Sequence, residues 1–184
     1  MRQLETRRLI LRPFRDSDAA DLFDYARDPR VGPAAGWKPH ESVEESREII
    51  RTVFSEPETF AVVHRQDGRV IGSAGFTGRH RQEAGGPDNE IGYSLDPTYW
   101  GRGLIPEAVE ELLRYGFEDL GLHTIWCDHY DGNYKSKRVI RKCGFTFRFL
   151  RMQQLEAFDY APRLVLCYAM TRRDWEKRKS EGRS

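Results

Sequence analysis

The residues best suited to chemistry form one short stretch, Trp100-Gly101-Arg102-Gly103-Leu104-Ile105. Glycines at 101 and 103 leave the main chain bare, and Arg102 adds a full positive charge. From Ile105 onward, apolar residues recur at Ala108, Val109, Leu112, Leu113, Gly116, Phe117 and Leu120, which is helical spacing. Pro106 suits the first turn of that helix, where a missing N–H is no loss. A helix start presents unpaired N–H groups and a partial positive charge. These features describe a phosphate site, and equally an ordinary tight turn that needs glycine for its dihedrals. The spacing is not Gly-x-Gly-x-x-Gly and no Gly-Lys-Ser/Thr follows, so neither a dinucleotide fold nor a P-loop gains support.

Other candidates are plainer. Asn133-x-x-Ser136 reads as the capped start of a short helix. Glu90 begins a strand, and a solvated glutamate is its simplest reading. Lys135, Lys137, Arg138, Arg141 and Lys142 read as a solvated helix face. Cys143 has no evident base partner and reads as a packed thiol. Cys127, Cys143 and Cys167 match no disulfide framework or zinc spacing, so no metal is expected and a reducing cytoplasm is the default.

Residues 7–14 alternate as a strand, and 16–28 read as a helix ended by Pro29. Residues 36–40 are a loop. Ser42 and Glu45 make a capping-box pattern ahead of Ile49, Ile50, Val53 and Phe54, so 42–54 is a second helix. Stretches 59–65 and 69–77 flank Gln66-Asp67-Gly68 as a hairpin. A polar loop at 78–88 precedes the strand 89–95. The helix from Ile105, a strand at 123–130, a helix at 133–144 and strands at 145–152 and 163–170 follow. The charged tail, 173–184, is expected to fray. The order is β-α-α-β-β-β-α-β-α-β-β: an α/β fold with a mixed central sheet. Its first half is antiparallel, and the crossover spanning 89–130 is parallel. A ligand cleft is expected where the two crossover strands part.

The chain of 184 residues fits one domain. Lys plus Arg is 30 and Asp plus Glu is 29, a balance that disfavours a dedicated nucleic-acid binder. No apolar run approaches the ~20 residues of a membrane span. The opening residues lack a signal-peptide apolar core. A cytoplasmic monomer or homodimer is expected.

The segment 89–113, together with "GNYKSKRVIRKCGF" (132–145), resembles the GNAT superfamily of N-acetyltransferases. The opening, "LETRRLILRPFRDSDAADLFDYARDPRV" (4–31), is similar to the branch of RimJ/RimL-like ribosomal-protein N-terminal acetyltransferases. The resemblance covers roughly residues 4–172. It implies a GNAT fold that takes acetyl-CoA as cosubstrate, and direct transfer to a primary amine in a ternary complex. The turn 100–105 would hold the pyrophosphate through main-chain N–H groups. Gly103 matches the family's Arg/Gln-x-x-Gly-x-Gly/Ala pattern, Trp100 replaces its basic or amide position, and Ile105 replaces its small last residue. Glu90 would be a base, often acting through water. Main-chain groups of Tyr93, Ser94 and Leu95 would pair with pantetheine and stabilise the oxyanion. Asn133 would bond the pantetheine arm, Ser136 or water would protonate the departing thiolate, and Arg138 would meet the adenosine 3′-phosphate. Many family members carry a tyrosine seven residues after the asparagine; here that position is Ile140.

Trp37 and His40 are candidates for lining the acceptor pocket, or equally for covering the core, and 78–86 for a lip over it. The acceptor expected is a protein N-terminal α-amine, with a small amine (amino acid, polyamine or drug) as the alternative. A non-catalytic coenzyme A sensor or interaction module, and an RNA-associated protein using the basic helix, are readings from other classes.

Overall fold

The structure, a computed structural model, describes residues 2–81 and 85–182. Short β-rich stretches pair in sequence order at the start of the chain. β1 (Leu4–Glu5), β2 (Leu9–Arg12), β3 (Thr59–His64), β4 (Val70–Phe76) and β5 (Asp88–Leu95) are successive antiparallel neighbours. β6 (Thr124–Tyr130) runs parallel to β5, while β7 (Thr146–Gln153) and β8 (Arg163–Thr171) close the sheet in the order β1-β2-β3-β4-β5-β6-β8-β7. The antiparallel first half and the parallel crossover match the sequence reading.

The helices are α1 (Ala19–Ala26), α2 (Gly32–Ala35), α3 (Val43–Thr52), α4 (Leu104–Arg114), α5 (Tyr134–Lys142) and α6 (Arg172–Ser180). α1 and α3 share a cluster of Leu22, Tyr25, Ala26 and Ile50. Ser42 caps α3 by accepting from the Glu45 N–H at 3.0 Å, an interaction worth ~1 kcal/mol. α4 provides the crossover between β5 and β6. Its apolar stripe is fully used: Leu104, Ile105, Ala108, Val109, Leu112 and Leu113 are buried in the main core. The helix ends in a π turn, Tyr115–Asp119. Gly116 sits there because a Cβ would lie 2.7 Å from both Ile125 and Phe76. The widened turn carries Phe117 into the core.

The tail corrects the sequence reading. Residues 172–180 do not fray: they form a capped helix, α6, with Thr171 and Asp174 making a capping box. Trp175 packs on the core with its ring centroid 5.5 Å from Phe117. One turn on, Arg178 donates to the Cys143 carbonyl at 2.7 Å and to Glu110 at 2.9 Å. Spacing of i, i+3 puts the ring and the cation on one face, a signal hidden in a strongly charged stretch.

Register opens the cleft. β5 and β6 pair only from Asp88–Thr124 to Ile91–Cys127. β5 continues along β4 to Leu95, and β6 continues along β8 to Tyr130. Beyond Ile91 and Cys127 the two parallel strands therefore part. The Thr77 N–H donates to the Glu90 carbonyl and the Asp96 N–H to the Ile71 carbonyl, so even-numbered residues of this strand turn their main chain toward β4. Antiparallel alternation then aims the main-chain groups of Tyr93 and Leu95 into the gap.

Candidate active site

The turn before α4 is built to leave its N–H groups open. Gly101 and Gly103 have φ of +77° and +73°, a region that L side chains rarely adopt. Among the described residues, no protein group accepts from the main-chain N–H of Gly101, Arg102, Gly103, Leu104 or Ile105. The carbonyls, by contrast, are tied back. Arg8 donates to the Arg102 carbonyl at 2.9 Å and to the Gly103 carbonyl at 3.3 Å. Arg8 is held in turn by Glu107 at 2.7 Å, and Glu107 also accepts from the Arg8 N–H and from Thr6 Oγ1. Burial opposes the charge on Glu107, but the hydrogen bonds from Thr6 and Arg8 prevail and hold its carboxyl below the usual range. Such a nest at a helix start suits a phosphate.

The side chains of this stretch act differently. Those of Leu104 and Ile105 are buried, leaving only their main chain to the turn. Arg102 folds back onto the Thr98 carbonyl at 2.9 Å. Trp100 donates from Nε1 to the Leu95 carbonyl at 2.9 Å, which braces the turn on β5. Its ring meets the Lys135 ammonium at 3.4 Å and the Arg30 guanidinium at 5.6 Å. Lys142 Nζ comes within 3.9 Å of the point a Gly103 Cβ would take; Lys142 and Arg138 are both exposed.

A hydroxyl pair lies where β5 faces α5. Tyr93 Oη and Ser136 Oγ are 2.7 Å apart. Burial pushes the Tyr93 phenol well above its ordinary range, so it stays protonated. The sequence reading gave Tyr93 only a main-chain role. Ile140, the position where many family members carry a tyrosine, is fully buried. Asn133 spends its Oδ1 on the Ser136 N–H at 3.1 Å and donates to the Ala34 carbonyl at 3.2 Å. Ser94 differs from Tyr93 and Leu95: its main chain faces β4, and its hydroxyl meets Ser73 Oγ at 2.8 Å.

On the opposite face of the sheet, Glu90 is buried rather than solvated. Its Oε1 accepts from Arg79 at 3.2 Å and its Oε2 from Arg81 at 2.7 Å. Arg81 also donates to Asp128 Oδ2 at 2.6 Å, with its guanidinium 4.6 Å from the Trp126 ring. Sequence reasoning missed Arg81 and Asp128, which no local motif marks. Residues 82–84 of the expected lip lie outside the described residues.

Trp37 and His40 pack against each other, and Trp37 shares its cluster with Trp100. His40 Nδ1 lies 2.8 Å from Ser46 Oγ, and its ring is 5.2 Å from that of Trp37. Trp37 packs on the cluster shared by α1 and α3, and neither residue hydrogen-bonds or stacks with Glu90, Tyr93 or Ser136. Burial lowers the His40 pKa. Cys143 is buried, and desolvation pushes its thiol up to about 12, which suits a packed thiol and not a nucleophile. Among the described residues, no cluster of three His, Cys, Asp or Glu side chains is placed to hold a metal, and no helix is long and apolar enough to cross a membrane.

The arrangement offers an anion cradle, an open strand edge, a hydroxyl pair on one face and paired carboxylates on the other. Comparison with known proteins gives the family. The acetyltransferase (GNAT) domain model matches residues 8–146. YoaA of Bacillus subtilis (strain 168), an uncharacterized N-acetyltransferase, is 32% identical over 150 residues, covering 77% of this chain and 81% of that protein. A GNAT-family acetyltransferase from Bacillus anthracis aligns structurally with a TM-score of 0.80 at 22% identity, over 94% of this chain and 99% of the other. The ribosomal-protein-S5-alanine acetyltransferase from Vibrio fischeri gives a TM-score of 0.72 at 23% identity, over 95% and 99%. This chain belongs to the GNAT acetyltransferase family and is an acyltransferase.

Proposed function

We propose that the enzyme moves the acetyl group of acetyl-CoA directly to a primary amine in a ternary complex. One observation carries this reading: the run of unpartnered N–H groups from Gly101 to Ile105, beside a strand edge that opens at Tyr93. The N–H groups would hold the pyrophosphate, with Lys142 or Arg138 at the 3′-phosphate. Tyr93 would offer its main chain, and Leu95 its N–H, to the pantetheine amides and the developing oxyanion. Acetyl-CoA supplies the thioester to be broken.

Glu90 would take one proton of the acceptor ammonium at Oε1, whose partner Arg79 is itself exposed, leaving a neutral amine to attack the thioester carbon. The nitrogen then forms the new amide bond as the carbon–sulfur bond breaks, and it sheds its second proton to water, from which Ser136 is reprotonated. On the other face, Ser136, hydrogen-bonded to Tyr93, would return a proton to the sulfur.

A protein N-terminal α-amine is the acceptor class we favour. Its support is the similarity of residues 4–31 to RimJ/RimL-like proteins and the fold shared with the S5-alanine enzyme. The test is acetyl-CoA turnover with alanine- and serine-initiated peptides beside free amino acids and polyamines. An Nα-acetylated peptide by mass spectrometry is the expected product. Acetylation of small amines alone would overturn the peptide reading, and binding of acetyl-CoA without turnover of any amine would overturn the transfer step.

A further inference from the structure

Asp128 is the first residue of β6 past its last pair with β5, so it stands at the mouth of the cleft. It shares a sheet face with Glu90, because Glu90 pairs with Trp126 and alternation returns Asp128 to that side. Its side chain is 8% exposed. Oδ2 accepts from Arg81 at 2.6 Å, Arg151 at 3.2 Å and Cys167 Sγ at 3.4 Å. Among the described residues, Oδ1 is buried and has no partner. A buried carboxylate oxygen without a donor is costly, because it has lost water and gained nothing. The Arg81 guanidinium bridges Asp128 and Glu90, so the two carboxylates already converge on one cation.

We propose that Asp128 Oδ1 receives the ammonium of the acceptor amine and sets it beside Glu90. This rests on the transferase reading above and adds a residue that recognises the acceptor. Shielding from bulk water strengthens such a contact. The same face also limits which amines fit. Arg79, Arg81 and Arg151 surround the two carboxylates, so a second positive charge on the acceptor meets guanidinium groups. The site therefore takes acceptors with a single cationic amine, such as an amino acid or a peptide N-terminus, and rejects polyamines.

The test uses protein labelled with ¹³C at aspartate carboxyls, loaded with coenzyme A and assigned through the backbone. The probes are n-butylammonium, n-butanol and spermidine. Failure to load coenzyme A would strike the transferase reading itself and is seen before any probe is added. With coenzyme A bound, n-butylammonium moves the Asp128 carboxyl resonance to saturation, n-butanol leaves it in place, and spermidine binds more weakly than n-butylammonium. Asp128→Asn weakens n-butylammonium binding about tenfold or more, as expected for loss of a charged hydrogen-bond partner. An unmoved Asp128 signal, or an equal response to n-butanol, overturns the assignment, and this result needs no variant to fold. Tighter binding of spermidine than of n-butylammonium overturns the selectivity.

Discussion

The two sides of the cleft are made of different material. The proposed cofactor side is main chain: glycines at positive φ, a helix start and an unpaired strand edge. The proposed acceptor side is charged side chains, with Glu90 and Asp128 bridged by Arg81 and flanked by Arg79 and Arg151. Main-chain geometry depends on φ and register, so it survives changes of side chain. The ion network depends on each partner and can be retuned one residue at a time. A fold that keeps its cosubstrate and varies its acceptor is well served by this division.

Breaking the main-chain side should have the largest effect. Gly103→Val puts a β-branched residue at φ +73° and a side chain over the open N–H groups. Acetyl-CoA affinity should fall about a hundredfold by calorimetry. Gly121→Val separates strain from blockage: its φ is +70° beyond the opposite end of α4 with open space around it, so it bears similar strain and should leave affinity intact. Equal losses in both variants would reduce the nest to a matter of folding.

Glu90→Gln should lower turnover about a hundredfold while leaving the acetyl-CoA Kd unchanged, because the side chain faces the acceptor. An unchanged rate would remove Glu90 as the base. Tyr93→Phe and Ser136→Ala should each slow the chemical step about tenfold, and the double variant should be no slower than the worse single one. Additive losses would show that the 2.7 Å contact is not a working pair. Lys142→Ala should weaken acetyl-CoA roughly threefold to tenfold and leave dephospho-CoA alone, a modest effect because the charge is exposed. If Arg138→Ala shows that discrimination instead, the 3′-phosphate sits one turn earlier on α5.

The smallest effect concerns stability. Burial lowers the His40 pKa below the ordinary 6.5. The unfolded chain therefore binds a proton more readily as pH falls past 6.5, and native stability drops there. His40→Gln should flatten that slope in urea melts between pH 7 and 5. An unaltered slope would assign it to other groups.

The main-chain side was the legible one. Glycine spacing, Pro106 and the apolar stripe after Ile105 locate a helix start, and strand alternation over 89–95 locates the edge beside it. These are local patterns written in consecutive residues. The acceptor side draws Arg81, Glu90, Asp128 and Arg151 from four separate stretches, and nothing within any one stretch announces the others. Glu90 read as a solvated strand end for that reason. The same limit hid Arg8, which closes on residues 102 and 103 from the far side of the sequence, and the phenol of Tyr93, whose partner lies on α5. It also hid α6, where one tryptophan and one arginine dock an otherwise polar helix.

The central claim is that main-chain N–H groups from Gly101 to Ile105 hold the cosubstrate's pyrophosphate. Amide shifts of ¹⁵N-labelled protein during an acetyl-CoA titration test it most directly. The account predicts that the amides of Gly101, Arg102, Gly103, Leu104 and Ile105 move furthest and saturate together with those of Tyr93 and Leu95. Binding that leaves the 101–105 amides in place, or no binding at all, would contradict it.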